Sequence, residues 1–119
     1  MTGIAVLVAA LILSMTVPSS GLATPIQAVH GTASWYDNGA GIYAAAGPAL
    51  RVGSWRGRAV TACSGTSCVT VRLVDWCACP RRVIDLSSDA FRRLAPLRQG
   101  LVTVNVSWPA TTLPATDTE

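Results

Sequence analysis

The chain has 119 residues, half of them hydrophobic, which is room for one domain and not for two. Its nine basic residues, all arginines, outnumber six acidic ones and leave a net charge of +3. That balance suits contact with an anionic cell wall but is too weak and too scattered for a nucleic-acid partner.

Residues 4–17, IAVLVAALILSMTV, form an unbroken apolar run. The run is short of the roughly 20 residues that a bilayer helix needs. It fits the apolar region of a secretory signal, with Gly21 and Ala23, or Ala28, as small residues for cleavage. Residues 1–23 are therefore read as a signal peptide or an N-terminal anchor, and 24–29 as a linker. A strand is predicted over 31–36, GTASWY, and it breaks at the turn-forming DNGAG. The next stretch, AAAGPALRVGSWRG, reads as loop. RAVTAC and CVTVRLVD then read as a β-hairpin around a four-residue turn, SGTS. In its second strand Val69, Val71 and Leu73 share one face, and Thr70, Arg72 and Val74 the other.

RRVID is a further short strand, followed by a helix in LSSDAFRRLAPLRQG. Ser87 is placed to cap that helix, Asp89 lies in its first turn, and Pro96 and Gly100 stop it. LVTVNVSW alternates, with Val102, Val104, Val106 and Trp108 on one side. The remainder, 109–119, is Pro/Thr-rich without apolar periodicity and reads as a disordered tail. Many short strands with a single helix predict a compact β-barrel over 30–108.

All four cysteines, Cys63, Cys68, Cys77 and Cys79, lie beyond the leader, as export to an oxidising compartment favours. Their spacing, C-x4-C-x8-C-x-C, is a poor zinc pattern, so no metal or other cofactor is expected. Four cysteines allow three connectivities. The preferred reading pairs Cys77 and Cys79 each back to the Cys63/Cys68 hairpin, since bridging two residues so close in sequence is strained.

Two aspartates, Asp75 and Asp85, each end an aliphatic strand. The plain reading makes Asp75 a turn cap and Asp85 a cap for the helix that follows. The alternative rests on the apolar neighbours of Asp85. Partial desolvation would raise its pKa and make it a proton donor near neutral pH, the acid that glycosidic cleavage needs. Tyr36, Tyr43 and Trp76 sit beside Gly-rich or polar stretches, where exposed rings could stack on sugars; packing within the barrel is the competing account.

GTASWY (31–36), VTVRLVD (69–75) and RVIDLSSDAFRRLAPLRQGLVTVNV (82–106) together resemble the rare lipoprotein A family and the first domain of expansins. The resemblance implies a mainly β fold: a six-stranded double-psi β-barrel with one short helix and a polysaccharide groove. It further implies that Asp85, in the DLS motif, is the acid, that Asp75 is its groove neighbour, and that the Ser34 hydroxyl completes the site. One departure is local: the family's DRGP after the first aspartate is DWCACP here.

The functional expectation is an exported protein that cleaves peptidoglycan glycan strands by lytic-transglycosylase chemistry. The expected partner is peptidoglycan or a related wall glycan, with membrane contact only through an uncleaved leader, and the chain is expected to be a monomer. Two rivals are a non-catalytic, expansin-like module that binds or loosens the wall, and an inverting endoglucanase with Asp75 as base.

Overall fold

A computed structural model describes residues 25–110. The expected leader (1–23) and residues 111–119 of the expected tail lie outside the described residues. Six strands run in the order β1 (Ile26–Tyr36), β2 (Tyr43–Ala46), β3 (Ala59–Ser64), β4 (Ser67–Trp76), β5 (Ile84–Ser87) and β6 (Val102–Pro109), with one helical turn, α1 (Ser88–Phe91), after β5. They close into a barrel in the order β1-β5-β2-β4-β3-β6. The β1–β5 and β2–β4 pairs are parallel; the other four contacts are antiparallel. This is the double-psi barrel expected from the sequence.

The core follows from the alternation in the strands. Val69, Val71 and Leu73 of β4 point inward, as do Val102, Val104, Val106 and Trp108 of β6. They meet Ile84 and Leu86 from β5 and Phe91 from α1, which seals one end. Ser87 caps α1 as expected, its Oγ accepting from the Ala90 N–H at 3.2 Å.

Several local expectations change. β1 starts at Ile26, inside the segment read as a linker, because Ile26–Val29 pair with Val106–Pro109 of β6. For the same reason Pro109 belongs to a strand and not to the tail. The stretch AAAGP, read as loop, contains β2, whose alanines are all buried. Small side chains there give no alternation to read, yet they let β2 fit between β5 and β4. Gly47 follows it so closely against β5's lead-in that an added Cβ would stand 2.5 Å from the Arg82 carbonyl oxygen.

The β3–β4 turn has two residues, not four, since Ser64 pairs with Ser67 and Gly65 takes the positive φ (61°) that a tight turn requires. The helix is a single turn ending at Phe91, with a separate 3-10 turn at Leu97–Gln99, because Pro96 disfavours helical geometry at the residue before it.

The disulfide pairing is also corrected: Cys63 bonds Cys68, and Cys77 bonds Cys79. Cys63 and Cys68 are opposed across the hairpin with Cα atoms 4.0 Å apart, so the ladder itself brings them together. Cys77 and Cys79, with Cα atoms 5.2 Å apart, lie in the loop that leaves β4, away from that hairpin.

Candidate functional site

Strand register assembles the site. Ser34 of β1 pairs with Asp85 of β5, Asp85 with Ala45 of β2, and Ala45 with Asp75 of β4. Neighbouring strands lie about 4.8 Å apart, so the backbones of the two aspartates stand about 10 Å from one another across the small Ala45. Ser34 and Asp85 alternate with the core residues Ala33, Ile84 and Leu86, which puts both on the barrel's outer face.

Asp75 reaches that face by a different route. The inward residues of β4 are Val69, Val71 and Leu73, so strict alternation would turn residue 75 inward as well. The register shifts instead between Ala44 and Ala45: Leu73 faces Ala44 while Asp75 faces Ala45. This bulge inserts one residue into β4 and turns the Asp75 carboxylate to the exposed side.

The two carboxyls live in different surroundings. Asp85 is half-buried and accepts a hydrogen bond from Ser34 Oγ at 2.9 Å. Burial pushes its carboxyl pKa up, while the Ser34 hydroxyl and the positive charge of Arg82 pull the other way without cancelling the rise. It does not cap α1; Ser87 does. Asp75 is exposed, and its Oδ1 accepts from the Trp76 N–H at 2.9 Å, as a turn-capping aspartate does.

Tyr36 is near enough to feel the charges of both. Burial pushes its phenol pKa up to about 12, helped by the negative charges of Asp75, Tyr43 and Asp85. Its hydroxyl is buried and has no hydrogen-bond partner among the described residues. The Tyr43 ring meets that of Tyr36 edge-on, with centroids 5.8 Å apart. Tyr43 is fixed by the DNGAG turn: its hydroxyl donates to the Gly39 carbonyl at 2.6 Å and accepts from the Asn38 N–H at 3.2 Å. The turn is in turn held by the α1 region, where Asp89 accepts from the Gly41 N–H and Ser87 donates to the Gly41 carbonyl.

The structure thus brings together Ser34, Tyr36, Tyr43, Asp75 and Asp85. Trp76 flanks this group with its ring 53% exposed and the Arg51 guanidinium 5.4 Å from its centroid. Four residues shape the site, three of which escape the sequence reading, while Ser87 is read there only as a helix cap. Ala45 supplies the low floor between the aspartates, Ser87 ties down the turn, Arg51 holds the β2 and β4 ends together through the Ala46 and Cys77 carbonyls, and Arg82 acts on Asp85. Only Arg82, three residues before Asp85, carried a signal that charge spacing could have flagged.

The outer face of the closed double-psi barrel thus carries a half-buried carboxyl beside a second, exposed one and three aromatic rings. The family model described as lytic transglycolase, a double-psi β-barrel, matches residues 28–106, and the chain belongs to that family of cell-wall-acting domains. Among curated proteins nothing matches.

Among solved structures, the chain is similar to a point-substituted Clavibacter michiganensis expansin in complex with cellohexaose. The TM-score is 0.61 and identity 22%, over 77% of this chain and 54% of that one. The apo form of that expansin matches with TM-score 0.61 and 21% identity, over 75% and 53%. The chain therefore spans about half the length of these expansins. A Streptomyces papain inhibitor matches with TM-score 0.59 and 25% identity, over 71% of this chain and 96% of that one.

Proposed function

We propose that this protein is exported and cleaves peptidoglycan glycan strands as a lytic transglycosylase, with Asp85 as the acid. The observation that carries the reading is the state of Asp85: half-buried, raised in pKa, and oriented by Ser34 on an outward trough. A carboxyl whose pKa burial raises keeps its proton to higher pH than a free one and is the better suited to give it to a glycosidic oxygen. As that C1–O bond breaks, the C6 hydroxyl of the same muramic sugar attacks C1 and forms a 1,6-anhydro ring. The Asp85 carboxylate, or Asp75, takes up the proton that the hydroxyl loses. Return of the proton to Asp85 restores the starting acid, and no water is consumed. The rings of Tyr36, Tyr43 and Trp76 stand beside Asp85 and Asp75, where they would stack on a sugar. The two disulfides fit an oxidising compartment and so support export.

The test is Asp85→Asn on purified sacculi. Release of anhydro-muropeptides should fall by about 10²–10⁴-fold, the usual worth of a general acid. Unchanged yield by mass spectrometry would reject the assignment.

A second reading is a non-catalytic, wall-binding module of expansin type. Its support is the similarity to an expansin structure holding cellohexaose, together with the openly exposed Trp76 ring. Sedimentation with sacculi and no soluble fragment from the native chain would favour it. New reducing ends in place of anhydro ends would point instead to hydrolysis with Asp75 as base.

A further inference from the structure

Thr32 lies two residues before Ser34 on β1 and, by alternation, on the same outward face. Strand rise sets it about 7 Å from Ser34, roughly one step along the trough from Asp85. There a cavity of about 450 Å³ is lined by Thr32, Pro80, Arg81, Arg82 and Leu101. Its size falls within the range of small-ligand sites. Its walls combine two cations with an apolar side, since Leu101 is 51% exposed.

The two arginines differ from most others in the chain. Arg51, Arg56, Arg58, Arg72 and Arg92 each spend a guanidinium N–H on a backbone carbonyl or a carboxylate. Arg81 and Arg82 are exposed and make no side-chain hydrogen bond or salt bridge among the described residues. The nearest acid, Asp85, is engaged with Ser34, although the charge of Arg82 reaches it. Both line one cavity, and each guanidinium carries the forked pair of donors that a carboxylate accepts.

We propose that Arg81 and Arg82 form a subsite for a carboxylate carried by the glycan, so that the trough selects acidic over neutral sugar polymers. The inference rests on the trough being a glycan site, and it specifies which glycans the trough accepts. The carboxylate belongs either to the sugar itself or to a peptide attached to it. Leu101 and Pro80 would lie against the apolar part of the same unit.

The test measures binding of the whole chain to three preparations of glycan strands: intact, stripped of peptide, and stripped with the carboxylates converted to amides. The native chain should bind the acidic strands about tenfold more tightly than the amidated ones, the scale of one charge-assisted contact. Arg81→Gln/Arg82→Gln should bind acidic strands only as well as the native chain binds amidated ones. Arg93→Gln/Arg98→Gln, which removes the same charge from exposed positions near α1, should keep the preference. A preference seen on stripped strands assigns the carboxylate to the sugar; one seen only on intact strands assigns it to the peptide. Either supports the subsite. Retained preference in the Arg81/Arg82 variant, or equal loss in the Arg93/Arg98 variant, would overturn it. Equal native binding to acidic and amidated strands overturns the subsite alone, whereas no binding to any strand overturns the glycan reading with it.

Discussion

The two walls of the barrel obey different rules. On the β3–β4–β6 wall, alternation is clean: Val60, Ala62, Val69, Val71, Val104 and Val106 are buried, and the residues between them are solvated. The outward polar groups there satisfy each other in water, as in the Thr61–Thr70 hydroxyl pair at 2.9 Å. On the β1–β5–β2 wall, the outward residues next to Asp85 are themselves covered. Ser34 is 6% exposed, Ala45 3% and Ser87 fully buried. Polar groups there must find protein partners, since a buried unpaired one is costly. Ser34 finds Asp85, and Ser87 finds Gly41, Tyr43 and Ala90. The difference shows where the barrel can do chemistry: shifted pKa values occur on the covered wall, at Asp85 and Tyr36, and water screens the open one.

Four substitutions would break or sharpen that contrast. Leu73→Ala acts on both walls, because Leu73 is fully buried on β4 where that strand pairs with β2 of the covered wall. It should cost about 3 kcal/mol of stability in denaturant unfolding. Ser87→Ala acts on the covered wall alone. It leaves the Gly41 carbonyl and the Tyr43 and Ala90 N–H groups without this partner, and should cost about 2 kcal/mol by the same measurement.

Ser34→Ala is a smaller and more specific change. Removing the hydroxyl takes away a bond that favours the Asp85 carboxylate, so the carboxyl pKa should rise further above its ordinary value. An acid raised in the folded state favours folding most below its unfolded pKa, and this contribution is lost as pH rises through the folded value. The variant's loss of stability with rising pH should therefore extend to higher pH. The alkaline limb of product release should move the same way, because the protonated form is the donor; an unmoved limb would detach Ser34 from Asp85. Last, Thr61→Ala on the open wall should change stability by less than about 0.5 kcal/mol, since its partner hydroxyl can turn to water. A cost as large as that of Ser87→Ala would erase the distinction between the walls.

Much of this was legible before any coordinates. The inward sets on β4 and β6 follow from period-two alternation, and the Ser87 cap from a serine placed before a short helical pattern. Asp85 stands out by its apolar neighbours and the DLS motif, although the strand expected to end on it, RRVID, instead begins at Ile84 and continues to Ser87. The failures were of two kinds. β2 is four residues of near-uniform small side chains with no pattern to read. The disulfides depend on which strands lie together, and the hairpin register paired Cys63 with Cys68 directly.

By itself, the sequence determined which residues face inward on the patterned strands and that a carboxyl at position 85 would lie in apolar company. These are local consequences of side-chain chemistry and backbone geometry. Tertiary structure alone decided that Asp75 faces outward, that Tyr36 feels the charges of both aspartates, and that Arg81 and Arg82 line a cavity with Thr32. Each of those depends on a register between strands distant in sequence, and on one bulge in β4, set by how the closed barrel packs as a whole.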